Sequence, residues 1–264
     1  MLTEETFLSL LGEDWRRELS ELEDAYDDYA ADCECGLRHV ETCIEDFISE
    51  MNRSDGYNYI DTYRERTKEF DSVVEKLIRR NLPLTIESIK SHIRDIAGIR
   101  IIARYRDDVD KIVQALQRPN SFVIEEIKDY VSSPKPNGYR SVHMIVKKQI
   151  WFSQTMKEVP VEIQIRSMAM DLWASHEHYL YYKGSDVGAP RYQSRLSVTA
   201  SLLDSVDSLF IAARDDVPTN DKELIETLNR LLNVVAPDYH ITRRHKMKPN
   251  KTTKTPVAET TETI

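Results

Sequence analysis

The run Val161-Glu162-Ile163-Gln164-Ile165-Arg166 alternates strictly between aliphatic and polar side chains. A period of two is a strand, placed at Val159–Ile165, with Val161, Ile163 and Ile165 on one face and Glu162, Gln164 and Arg166 on the other. Three polar residues in a row on a face that a core would otherwise claim are costly unless they line a site; the alternative is a solvated face. From Ser167 the pattern turns helical to about Tyr182, with Asp171, Ser175, His178 and Tyr182 on one stripe.

The remaining elements follow from the same periodicities. Residues 4–50 contain two Gly and no Pro, and Leu8, Leu11, Trp15 and Leu19 recur at helical spacing, predicting one or two amphipathic helices. Asn52 to Gly56 reads as a loop, and a helix over about 69–81 ends before Pro83. Ile99–Tyr105 reads as a buried strand, Asp107–Leu116 as a helix, Ser121–Glu126 and Ser141–Val146 as strands. Two further helices are expected near 190–213 and 220–234. The expected division is 1–55 (acidic helices), 56–185 (a catalytic-type domain), 186–236 (C-terminal helices) and 237–264 (a Lys-, Thr- and Pro-rich flexible tail). Helices around a mostly β middle predict an α+β chain with a mixed sheet.

Charge is unevenly spread. The 264 residues carry 36 Lys+Arg and 45 Asp+Glu, net −9. Residues 1–50 hold 16 acids and 3 bases, so the rest, with 29 acids and 33 bases, is +4. That excludes a generic nucleic-acid-coating surface and leaves room for a local phosphate site. No apolar run near 18 residues predicts a membrane span, and the acidic start predicts no export signal and a cytoplasmic address. Cys33, Cys35 and Cys43 form neither a disulfide framework nor a convincing zinc pattern.

Four segments carry chemistry. Over Arg66–Arg80, Lys68, Ser72, Lys76 and Arg79 share a helical stripe opposite Phe70, Val73, Val74, Leu77 and Ile78; cations above a buried face suit a polyphosphate, or form a solvated face balanced by Glu75. In Asp95-Ile96-Ala97-Gly98-Ile99-Arg100, an acid before a buried strand suits Mg²⁺, with Gly98 allowing close backbone approach, or is a turn residue. The loop Lys128 to His143 presents Tyr139 for purine stacking with Lys135, Arg140 and His143 nearby, or is a hairpin with a packed Tyr. Glu162 on the alternating strand could join Asp95 in clamping one Mg²⁺.

Asp-Ile-Ala-Gly-Ile-Arg, Asn-Gly-Tyr-Arg-Ser and Glu-Ile-Gln-Ile-Arg, in this order over roughly residues 60–185, resemble the synthetase domain of the RelA/SpoT family of (p)ppGpp synthetases. With no His-Asp pair of the associated hydrolase, the chain is similar to the small, single-domain members. The resemblance implies a nucleotidyltransferase-like mixed sheet flanked by helices, with N- and C-terminal helical extensions. It implies Mg²⁺-dependent transfer of the β,γ-diphosphate of ATP to the 3′-hydroxyl of GDP or GTP. By position, Arg66 and Arg100 match the residues that sandwich adenine, and Lys68, Ser72, Lys76 and Arg79 match the ATP-phosphate face. Asp95 matches the Mg²⁺ ligand, and Glu162 matches a second ligand or the base on the 3′-hydroxyl. Tyr139 matches the guanine stack, with Lys135 and His143 near that nucleotide's phosphates, and Gln164, Asp171, Glu177 and His178 match the acceptor pocket. Glu69 stands where many members have Pro, Ser167 replaces Thr, and His176 occupies a variable position.

Two alternatives share these motifs: a toxic relative that pyrophosphorylates the tRNA 3′ end or adenosine nucleotides, and an inactive nucleotide- or RNA-binding regulator. The low positive charge of the body disfavours RNA, and intact Asp95 and Glu162 disfavour the regulator. No DNA or membrane partner is expected. Leu202, Leu203, Val206, Leu209 and Phe210 are read as core or an oligomer contact, and the family resemblance implies a homotetramer.

Overall fold

The computed structural model describes residues 15–118, 121–183 and 190–216. In chain order the elements are α1 (Trp15–Asp55), β1 (Ile60–Thr67), α2 (Phe70–Arg79), α3 (Ile86–His92), β2 (Ala97–Ala103), α4 (Arg106–Leu116), β3 (Val123–Asp129), β4 (Val142–Trp151), β5 (Met156–Ser167), α5 (Met168–Lys183) and α6 (Pro190–Asp215). The sheet order is β1-β2-β5-β4-β3. β2 and β5 run parallel and every other neighbouring pair antiparallel, so the sheet is mixed, as expected for α+β.

Among the described residues, the N-terminal acidity lies on one helix. Leu22, Tyr26, Tyr29, Cys33, Leu37, Val40 and Ile44 recur every three or four residues along α1, and all are buried against the sheet. Glu21, Glu23, Asp24, Asp27 and Asp28 lie exposed on its other side. The apolar stripe makes α1 part of the core, while the solvated acids supply the charge imbalance. The predicted Leu8 and Leu11 positions, the helix near 220–234 and the tail lie outside the described residues.

Two elements depart from the sequence reading. β1, Ile60-Asp61-Thr62-Tyr63-Arg64-Glu65-Arg66-Thr67, is an edge strand. Its charged residues obscure the alternation, as edge strands tolerate and even favour charge. α3 is a short helix whose N-cap Thr85 accepts from the Ser88 amide. The predicted 69–81 helix is confined to Phe70–Arg79, and Asn81, with φ 54°, takes the left-handed conformation that ends it.

α6 also corrects an expectation. An 18-residue window within Tyr192–Asp215 reaches a mean hydropathy of 1.4, long and apolar enough by composition to cross a membrane, although its Ser, Thr and Asp residues break any continuous apolar run. Asp204 within it accepts from Arg106 at 2.7 Å, and Asp207 accepts from the Ser167 hydroxyl. Polar groups thus tie the helix to α4 and to the end of β5, while Val198, Leu202, Leu209 and Phe210 remain exposed on its outer side.

Candidate active site

The polar face of β5 is the floor of the site. Cross-strand register sets Glu162 beside Gly98 of β2 and Gln164 between Arg100 of β2 and His143 of β4. Glycine is required at 98: a Cβ there would lie 2.9 Å from the Glu162 carbonyl oxygen. Below this floor Ile163 and Ile165 are buried in the core, so the backbone carrying the polar residues is held rigidly.

Five side chains close a hydrogen-bonded ring. Glu162 Oε1 is 2.8 Å from His143 Nδ1, and His143 Nε2 is 2.7 Å from the Tyr139 hydroxyl. Arg166 Nη2 donates to that hydroxyl at 2.7 Å and to Gln164 Oε1 at 3.0 Å, and Gln164 Nε2 donates to Glu162 Oε2 at 2.7 Å. The direction of the ring follows from its chemistry. An ionised carboxylate only accepts, so Nδ1 of His143 carries the proton; in neutral imidazole Nε2 then accepts, and Tyr139 donates to it. Burial pushes the Glu162 carboxyl upward, but the hydrogen bonds from His143 and Gln164 outweigh burial and hold it below its ordinary value. Glu162 is therefore a charged acceptor at neutral pH.

Arg166 is the residue that the sequence placed on this face without a role. It is buried, donates through Nη1 to Asp171 at 3.2 Å, and lies 5.2 Å from the Tyr139 ring centroid. Arg100 pairs with the same Asp171 at 3.7 Å. Burial, then the neighbouring Arg166 charge, pull the Arg100 guanidinium down from its ordinary value. The Nε atoms of Arg100 and Arg166 are buried without an acceptor. Strand parity put Arg166 on this face but could not reveal its role, because Tyr139 and Asp171, its partners besides Gln164, come from a loop and a helix.

A second cluster surrounds Asp95, just before β2. Its carboxylate takes Lys76 at 2.6 Å and Lys68 at 3.1 Å. Burial alone would raise Asp95, but the bonds and charges of Lys76 and Lys68 bring its pKa down to about 2. Burial lowers Lys76, and Asp95 only partly offsets this. The expected helical stripe needs one correction: Lys68 lies in the turn between β1 and α2, where its amide donates to the Ile96 carbonyl at 2.7 Å. It reaches Asp95 from that turn, because α2 begins two residues later. Ser72, Lys76 and Arg79 do share one side of α2, with Arg79 exposed. Glu69 caps α2 with φ −66°, the angle proline would fix, so the backbone accepts either residue.

The residues expected to face the purines are also set apart. Arg66 stands exposed opposite Gly98, near enough to Arg100 that the two charges oppose each other. On the far side, the ammonium of Lys135 lies 4.7 Å from the ring centroids of both Tyr139 and Tyr130. Asn137 accepts from the Tyr139 amide at 3.1 Å and donates to Glu177 at 3.4 Å. His178 is exposed on α5, outside the ring. Ser167 keeps the hydroxyl that threonine would offer, accepting from the Met170 amide at 3.2 Å and donating to Asp207.

The donors fit a hard divalent cation. Asp95 and Glu162 are close enough that the charge of Asp95 opposes ionisation of Glu162. Among the described residues no group of three or more His, Cys, Asp and Glu side chains could hold a metal. Two carboxylates are the donor set Mg²⁺ takes alongside waters and phosphate oxygens; here Lys76 and Lys68 engage the oxygens of Asp95, and His143 and Gln164 those of Glu162.

Comparison with known proteins bears on the fold and the family. The family described as "region found in RelA / SpoT proteins" matches residues 65–187. GTP pyrophosphokinase YwaC of Bacillus subtilis is 34% identical over 210 residues, 80% of this chain and 95% of that protein. The crystal structure of small alarmone synthetase 2 from Bacillus subtilis superposes with a TM-score of 0.64 at 32% identity, covering 72% of this chain and 99% of that one. Small alarmone synthetase 1 from Bacillus subtilis, bound to its product pppGpp, gives 0.66 at 26% identity, covering 74% and 98%. With a curated relative matched over nearly its whole length and solved small alarmone synthetases of the same fold, the chain belongs to the RelA/SpoT family.

Proposed function

We propose that the protein is a (p)ppGpp synthetase of stringent-response signalling, a GTP diphosphokinase. It moves the β,γ-diphosphate of ATP to the 3′-hydroxyl of GDP or GTP and releases AMP. The observation that carries this reading is the hydrogen-bonded ring linking Glu162 to Tyr139, one strand from the Asp95–Lys68–Lys76 cluster. It supplies a charged acceptor beside a purine platform and, next to it, a cationic phosphate site.

Phosphoryl transfer through a loose transition state depends on alignment and charge neutralisation more than on a strong base. Glu162, kept ionised, accepts the hydrogen bond of the 3′-hydroxyl and takes its proton as the new bond forms. His143 and Gln164 fix the two carboxylate oxygens, and Tyr139 stacks the acceptor base after Lys135 leaves its ring. Lys68, Lys76, Ser72 and Arg79 bind the ATP phosphates, and Arg66 and Arg100 flank adenine. Asp171 orients Arg100 and Arg166, Glu177 holds Asn137 of the acceptor turn, and His178 borders the pocket. Asp95 and Glu162 are the residues that would hold Mg²⁺, which when bound neutralises the transferred phosphates. Cytoplasmic action follows from the substrates, ATP and GDP or GTP.

AMP release that requires Mg²⁺ and a guanine nucleotide together tests the reading; release with water as the sole acceptor contradicts it. Tyr139→Ala is expected to raise the acceptor KM by the equivalent of about 1–3 kcal/mol of stacking while leaving the ATP KM near wild type. Steady-state kinetics with each nucleotide varied in turn measures both. The exposed Val198, Leu202, Leu209 and Phe210 of α6 support the homotetramer, for which light scattering should return four times the chain mass, and a monomer contradicts it.

A further inference from the structure

α6 lies beyond the family-matched segment, which ends at residue 187, yet it touches the acceptor turn directly. Gly138 has φ 91°, and a Cβ there would lie 2.5 Å from the Cβ of Ala200 and 3.3 Å from the Cα of Ser197. The next residue but one, Arg140, is held through both terminal nitrogens of its guanidinium: Nη1 donates to the Val131 carbonyl at 3.1 Å, and Nη2 lies 3.6 Å from Asp204 of α6. The same Asp204 takes Arg106 of α4 at 2.7 Å. Between these points Tyr139, Leu196 and Leu203 pack against Trp173, Ala174 and Ala200, and the Trp173 indole donates to the Leu196 carbonyl at 2.9 Å.

We propose that α6 is a brace for the acceptor nucleotide: Asp204 and Ala200 are positioning residues that hold the Gly138-Tyr139-Arg140 turn in its stacking geometry before the nucleotide arrives. Ordering the turn in advance removes an entropic cost from acceptor binding, so the brace acts on acceptor affinity and leaves ATP binding alone. The inference rests on Tyr139 serving the acceptor base, and the experiment separates the two.

Asp204→Asn in the full chain removes the charge that ties Arg140 and Arg106 to α6. It is expected to raise the acceptor KM roughly three- to tenfold with the ATP KM unchanged, the size of a partly exposed charged tether. Arg214→Gln is the control. Arg214 fastens the far end of α6 to Asp107 of α4 at 3.0 Å, so its loss lowers the melting temperature without altering either KM. Should Asp204→Asn fold poorly, Ala200→Val crowds Gly138 directly and is expected to give the same selective rise. An acceptor KM equal to wild type in a folded Asp204→Asn protein, or both KM values moving together in Asp204→Asn and Arg214→Gln, overturns the brace. Tyr139→Ala in the same assays tests the underlying assignment: no change in its acceptor KM overturns that assignment and the brace with it.

Discussion

Glu162→Gln is expected to lower kcat by about 10²–10⁴, the range for loss of an acid–base or electrostatic catalyst. The substitution preserves volume and an oxygen able to accept from His143 Nδ1. It removes the negative charge that receives the 3′-hydroxyl proton and that can share a cation with Asp95. It also turns an amide NH₂ toward the Gln164 Nε2 donor, which now sits 2.7 Å from Glu162 Oε2, so two donors face each other and the ring opens there. Because Ile163 and Ile165 are unaltered beneath it, the variant should remain folded, with a melting temperature close to wild type. Rapid-quench turnover with nucleotide binding measured separately would isolate the chemical step, and a kcat within a few-fold of wild type would sink the role of Glu162.

Asp95→Asn is the second large effect, and it should appear in both activity and stability. Turnover is expected to fall by about 10²–10⁴ through the lost charge at the phosphate site. Stability should fall by about 2 kcal/mol, between the ~1 of an exposed ion pair and the ~3–5 of a fully buried one, because two half-buried ammonium groups lose their counter-charge. The pH dependence has a definite sign. The folded pKa of Asp95 lies at about 2, below the ordinary 3.8, so its contribution is complete above pH 3.8 and is lost as pH falls through about 2. The stability gap to wild type should therefore be flat near neutrality and close in acid. Adding Lys76→Met to Asp95→Asn removes one stranded cation and should recover stability without recovering turnover. Recovery of both would reduce Asp95 to a structural ion-pair partner.

What the sequence revealed and concealed follows from how local each signal is. The period-two pattern around Glu162 and Gln164 located the site floor because register on a sheet with one aliphatic face is unambiguous. Gly98 was legible for a related reason, since a glycine before a buried run marks close approach. β1 was not, because Asp61, Arg64, Glu65 and Arg66 on an edge strand give no clean apolar face. Lys68 misled by satisfying a spacing of four from Ser72, although helix geometry begins only at Phe70. The direction of the hydrogen-bonded ring, Arg166 at its back, and the support that α6 gives to Gly138 are all tertiary. Their deciding contacts join residues 19 to 98 positions apart, such as His143 with Glu162, Arg166 with Tyr139 and Arg106 with Asp204, and no short window contains them.

The central claim is tested most directly by product identity. Purified protein incubated with Mg²⁺, ATP and GDP or GTP, and separately with deacylated tRNA, is resolved by anion exchange. The account predicts more highly phosphorylated guanosine nucleotides formed in step with AMP, and no modified tRNA. Labelled tRNA without a new guanosine nucleotide, or no transfer in either reaction, would contradict it.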